Sequence, residues 1–237
     1  MRNKFLIGAV VFLTLLITQA PAGILRWLIE QSGQATLIGT TGTLWQGQGQ
    51  LLVARQPVGI VRWDLQGVTI LQGKLSYHVE LESSEQNLTT SLQLLPDTGV
   101  QATNGTVAAE AVNRWLAPYN IRLSGQFTLT DVALQFKGGR PDSAGGDLHW
   151  EGGPVTYQLA GEISSGILPE MTAVLGPRAE AVVFAAGGQT PLLQAQLQDN
   201  GFAKVGVTKL LTKMLNRPWP GSDSDHEVVL EVEEQVF

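Results

Sequence analysis

The chain has 237 residues, no cysteine, three histidines and a formal net charge of −6. Without thiols it forms neither disulfides, thiolate metal sites nor a cysteine nucleophile, and its acidic balance offers no global basic field for nucleic acid. Charged residues make up 15% against a usual ~25%; Gln, Thr, Ser and 27 glycines take their place, the polar complement of strands and turns.

The N-terminus is apolar. Arg2 and Lys4 precede Phe5–Leu25, which carries no charge and is densest at Phe5, Leu6, Ile7, Val10, Val11, Phe12, Leu13, Leu15, Leu16 and Ile17. A hydrocarbon core of about 30 Å takes roughly 20 helical residues, so a transmembrane anchor is expected over Phe5–Leu25, in contact with inner membrane lipids. Phe5–Ile17 is also the length of a signal-peptide core, with small residues at Ala20 and Ala22. Pro21 disfavours cleavage after Ala20, and Ile24, Leu25, Trp27 and Leu28 continue the apolar trend. Both features favour an uncleaved anchor, with Trp27 suited to the membrane interface. The flanking charges keep the N-terminus cytoplasmic and export the rest. A cysteine-free exported chain fits a bacterial periplasm.

Beyond the anchor, period-two patterning dominates. Leu75, Tyr77, Val79 and Leu81 alternate with polar residues, as do Leu88, Leu92 and Leu94. Ile121, Leu123, Phe127 and Leu129 share one face, whereas Val132, Leu134 and Phe136 share the opposite parity. That shift predicts a bulge or tight turn near Asp131. Val155, Tyr157, Leu159 and Ile163, then Leu193, Ala195 and Leu197, then Val228, Leu230 and Val232 continue the theme. Gly- and Pro-rich turns separate them at 96–99, 137–141, 152–154 and 199–201. One-sided apolar strands belong to antiparallel sheets.

Two short helices are predicted. Ala108, Ala111, Val112, Trp115, Leu116 and Tyr119 follow helical spacing, limited by Pro118. Val207, Leu210, Leu211, Met214 and Leu215 do likewise, with Lys204, Lys209, Lys213 and Arg217 nearby; such a helix either caps a sheet with its lysines in water or lies on an anionic membrane. Gly42–Gly49 weakly echoes Gly146–Gly153, with the tryptophan moved by one place, which suggests two related sheet units.

Reactive constellations are sparse. His78 lies on the polar face of its strand, His149 stands next to Trp150, and only His226, within Asp223-Ser224-Asp225-His226-Glu227, has carboxylate neighbours that could meet a metal ion; a solvated turn is the commoner use of such a run. Ser83-Ser84 and Ser164-Ser165 match no nucleophile motif, and no Gly-Lys-Thr follows the glycine pairs as a phosphate loop would require. Trp45, Trp63, Trp115 and Trp150 are expected in the core, since large aromatics bury 150–250 Å² each. Phe237 has the place of the terminal aromatic of an outer-membrane barrel, but the anchor and helices oppose that reading.

The basic-apolar start, Pro21-Ala22, Gly42-Thr43-Leu44-Trp45-Gln46-Gly47, Val61-Arg62-Trp63, the Gly146–Trp150 element and the Glu231–Phe237 ending together resemble the N protein of the bacterial type II secretion system. The resemblance implies an inner-membrane-anchored accessory component with a periplasmic domain and no catalytic residues or cofactors. It also implies a distant, fold-level relation to AsmA-like envelope proteins, whose curved sheets offer an apolar concave face.

The expected architecture is mainly β: a transmembrane helix within residues 1–25, then a curved, mostly antiparallel body over 26–237 with two short helices. That body divides into 26–107 and 108–237 if the echo marks a repeat. The expected function is scaffolding in protein export, not catalysis, with other type II secretion subunits as partners and no nucleic acid. Leu230, Val232, Lys209 and Lys213 are the candidate contacts. The alternative is lipid binding or transfer through an apolar groove.

Overall fold

A computed structural model describes residues 18–30, 35–69, 74–94, 98–137, 140–159, 161–198, 201–221 and 224–235. The expected anchor residues Phe5, Leu6, Ile7, Val10, Val11, Phe12, Leu13, Leu15, Leu16 and Ile17 lie outside them. Residues 19–22 are not helical: Pro21 bridges Thr43, and Leu44 N–H donates to the Ala20 carbonyl at 2.7 Å. Helix α1 then begins at Gly23 and runs to Glu30, so Gly23–Leu25 belongs to a separate helix and not to one span continuous with Phe5. Among the described residues no helix is long and apolar enough to cross a membrane.

The chain forms two compact units that meet in sequence between Ser83 and Ser84. In the first, β1 (Ala35–Gly42), β2 (Gln46–Val53), β3 (Gln56–Thr69) and β4 (Lys74–Glu82) pair antiparallel in chain order. Helix α1 packs on β1. Ala22, Leu37, Trp63 and Tyr77 are buried. The β2–β3 turn places Ala54 and Arg55 at φ +48° and +66°, the left-handed pair of a type I′ hairpin that glycine and asparagine normally fill.

The second unit has a sheet ordered β5-β6-β8-β9-β12-β13-β14-β15-β16 and a small sheet ordered β11-β10-β7. Their ranges are β5 Gln86–Leu94, β6 Thr98–Ala108, β7 Arg122–Leu123, β8 Gln126–Lys137, β9 Arg140–Trp150, β10 Gly153–Leu159, β11 Glu162–Leu168, β12 Met171–Pro177, β13 Glu180–Ala185, β14 Pro191–Leu197, β15 Phe202–Thr208 and β16 Val228–Gln235. Helix α2 spans Ala109–Leu116, followed by a 3₁₀ turn over Ala117–Tyr119; α3 spans Lys209–Met214. The small sheet and α3 enclose the core with Trp150, Met171 and Leu192 of the large sheet: Val155, Leu168 and Leu211 are buried there, and Leu210, Met214 and Leu215 pack against them. The α3 apolar face is thus spent on the sheet, as a capping helix requires, and not on a membrane.

The predicted bulge is present at Asp131. Register shifts fall between Thr130 and Ala133 toward β9 and between Val100 and Gly105 toward β8, with Ala102 at φ +48°, Asp131 at φ +50° and Gly146 at φ +95°. Asn104 pins the site: its Oδ1 accepts from Asp131 N–H at 2.9 Å, while its Nδ2 donates to Asp131 Oδ1 at 3.1 Å and to the Ala102 carbonyl at 3.0 Å. A β-carbon on Gly146 would sit 2.4 Å from the Asp131 carbonyl oxygen, so only glycine fits beneath the bulge.

Candidate functional site

The most distinctive motif, Gly42–Gly47, builds a socket for Trp63. Thr43 Oγ1 accepts from the N–H groups of Trp45 and Gln46 at 3.2 and 3.1 Å, which holds the turn between β1 and β2. The Thr43 carbonyl then accepts from Trp63 Nε1 at 3.1 Å. Opposite Trp63 in the β2–β3 ladder stands Gly47, whose missing β-carbon would lie 2.6 Å from the indole. Burial without an unpaired N–H is the reason the ring needs both partners.

Trp150 repeats this arrangement in the second unit. Its Nε1 donates to the Ser124 carbonyl at 2.8 Å, at the turn between β7 and β8, and its ring stacks on Phe127 at 6.1 Å. Trp63 and Trp150 each lie on the third strand after a helix, α1 and α2 respectively, whereas Trp45 lies in the turn before β2. Trp45 is half-buried in its turn. Trp115 is 55% exposed, against the expectation of a core position. Asn113 faces β7, and a residue two places on is turned about 200° away around the helix.

Chemistry-bearing side chains are dispersed. Among the described residues no three His, Asp or Glu side chains come together to hold a metal ion. Within the acidic loop Asp225 pairs with Lys213, and His226 Nδ1 lies 2.6 Å from Ser224 Oγ. His149 pairs with Glu170 at 2.8 Å and His78 with Glu80 at 3.5 Å. Thr208 and Lys209 are buried yet satisfied: Thr208 Oγ1 donates toward the Pro191 and Leu192 carbonyls, and Lys209 Nζ donates to the Gly221 carbonyl at 2.7 Å.

What the surface does offer is strand edges. On β16 Leu230 and Val232 are 40% and 48% exposed on one face, while Glu231 and Glu233 stand on the other. Glu231 meets Lys204 at 2.9 Å and holds its ammonium above the usual lysine range. Of the four candidate contacts, Leu230, Val232 and Lys213 lie at the surface, whereas Lys209 is taken up inside the chain. Sequence reading missed the edge of β7, where the Asn113 carboxamide substitutes for a strand: Nδ2 donates to the Leu123 carbonyl and Oδ1 accepts from Leu123 N–H, both at 2.8 Å.

The described residues thus form a mainly β, antiparallel protein whose most distinctive motif seats a buried tryptophan. The family model described as type II secretion system protein N matches residues 34–216. The chain belongs to that family and is a component of type II secretion, associated with the cell envelope and with other secretion subunits. No curated protein and no solved structure matches it significantly.

Proposed function

We propose that the chain is a non-enzymatic scaffold, held at the inner membrane by its apolar N-terminus with the β body in the periplasm. Helix α1 supports the tether, because Trp27 and Ile24 are 60% and 40% exposed a few residues after the apolar segment, where amphipathic rings settle at a membrane interface. The body contacts neighbouring secretion subunits through the rim made by β16 and Lys213. The single observation that carries this reading is β16 itself: a terminal strand of its sheet, exposed on both faces from Leu230 onward, with two apolar residues on one of them. Unpaired N–H and C=O groups along such an edge template strand addition, and its glutamates restrict who can add.

The deciding experiment combines gene deletion with pull-down of the full chain from membranes. Loss of exoprotein secretion and co-purification of a secretion subunit are expected, both weakened by Leu230→Asp with Val232→Asp. Unchanged secretion together with no secretion subunit recovered defeats the scaffold. Recovery of the protein from the cytosol, with the body not accessible to periplasmic protease, defeats the topology.

A further inference from the structure

The geometry points to strand β11 as a self-association edge, at which a second copy of this chain adds antiparallel, Ser165 opposite Ser165. The inference is independent of the anchor and of the β16 rim.

Among the described residues, the other sheet ends are either covered or ill-suited to pairing with themselves. The β1 end is flanked by α1, with Ala22 N–H donating to the Gly42 carbonyl at 3.3 Å and Pro21 bridging Thr43. The β7 edge is capped by Asn113. On β16, self-pairing about Glu231 or Val232 sets glutamate against glutamate, which repels. Strand β11 ends the small sheet and has none of these devices among the described residues. From Ile163 to Leu168 it carries no charge, and Ile163 and Ile167 are 76% and 80% exposed, the most exposed large apolar side chains among the described residues.

Its edge points the right way. Both backbone groups of Leu123 turn to Asn113, so the Leu123–Val155 pair does not bond across β7 and β10, and Val155 directs its own groups toward Gly166 on β11. By strict alternation, Ile163, Ser165 and Ile167 then present their N–H and C=O to the open side. Those three residues also share the outward face, opposite Gln158, Thr156 and Pro154. The inward face is occupied: Leu168 is buried, and Arg217 holds Ser164 Oγ at 2.8 Å and Glu162 at 3.1 Å.

The sequence of that edge is symmetric about Ser165. With Ser165 on a two-fold axis, Ile163 of one copy meets Ile167 of the other, twice, and every outward backbone group finds a partner. That is the self-complementarity an isologous interface requires. No neighbouring register sets both isoleucines against isoleucines. A single added strand about 23 Å long contributes a narrow contact, smaller than a standard interface of ~800 Å² per partner, so the dimer is expected to be weak and concentration-dependent.

The test uses the full chain in detergent, followed by sedimentation up to about 1 mM protein, with circular dichroism checking that each variant is folded. Wild type is expected to dimerise. The variant carrying Ile163→Lys and Ile167→Lys is expected to be monomeric, because lysine then faces lysine across the axis. Ile163→Lys with Ile167→Glu restores the dimer, since each lysine meets a glutamate of the other copy. A merely structural role for these residues would not distinguish the two variants. In a chain without cysteine, Ser165→Cys is expected to give an oxidised dimer, the Cα separation of such a pair being about 5.5 Å and within disulfide reach. Wild type monomeric throughout, equal masses for the two charge variants, or no cross-linking by Ser165→Cys would each overturn the assignment.

Discussion

Trp150 donates its indole N–H to the carbonyl of Ser124 at 2.8 Å, as Trp63 does to Thr43 at 3.1 Å in the other unit. In both cases a turn two strands back is tied to a buried ring. The two units therefore share this device.

Replacing Trp150 by Phe keeps the contact with Phe127 but leaves the Ser124 carbonyl without its donor. The expected cost is about 1–3 kcal/mol, whereas Trp150→Ala should cost roughly 3–5 kcal/mol by opening the core. Chemical denaturation of the two variants reads both. Equal stability for wild type and Trp150→Phe would remove the hydrogen bond from the account.

Asn113→Ala strips two hydrogen bonds from Leu123 at once and exposes the β7 edge. A loss of about 1–3 kcal/mol is expected, together with faster amide exchange at Leu123 and a greater tendency to aggregate. Protection at Leu123 unchanged in hydrogen–deuterium exchange would contradict the edge-capping role.

Beneath the Asp131 bulge, Gly146→Ala forces a β-carbon against a backbone oxygen at a left-handed φ. A cost of roughly 1–3 kcal/mol is expected from the strained backbone, with further loss from the clash. Asp131→Asn should be close to neutral, because asparagine tolerates φ > 0 and its side-chain oxygen still accepts from Asn104. Thermal melts of the two variants should therefore diverge.

Two hairpins are built with poorly suited residues. Ala54-Arg55 and Arg178-Ala179 all adopt φ between +48° and +66°, which costs ordinary L-residues about 1–2 kcal/mol each. Substituting Asn-Gly at 54–55 should raise stability by about 1 kcal/mol or more. An unchanged or lower melting temperature would contradict the turn assignment.

The Tyr119 hydroxyl donates to the Glu234 carboxylate, and that hydrogen bond, with some burial and the neighbouring charge, raises its pKa above the ordinary tyrosine range. Because the folded value lies above the unfolded one, the stabilisation is complete below the unfolded phenol's pKa and is lost as pH climbs through the folded value. Spectrophotometric titration should show a late-ionising tyrosine that moves to lower pH in Glu234→Gln. Tyr77, raised by burial alone, should not move and serves as the internal control.

Period-two alternation determined the antiparallel strands, and the parity change at Asp131 located the bulge, because burial of one face leaves a direct mark on side-chain order. The α3 face was legible for the same reason. The hairpins at Ala54-Arg55 and Arg178-Ala179 left no mark, since neighbouring strands impose their twist on residues with no turn preference of their own. Helix α1 was hidden because its apolar residues continue those of the preceding segment, and only Pro21 bridging Thr43 separates them. Which tryptophan answers Trp150, where Trp115 points, which lysine of α3 is buried and which sheet end stays open were decided by tertiary structure. Each depends on what lies across a ladder or a core, and the partners are brought there by folding alone.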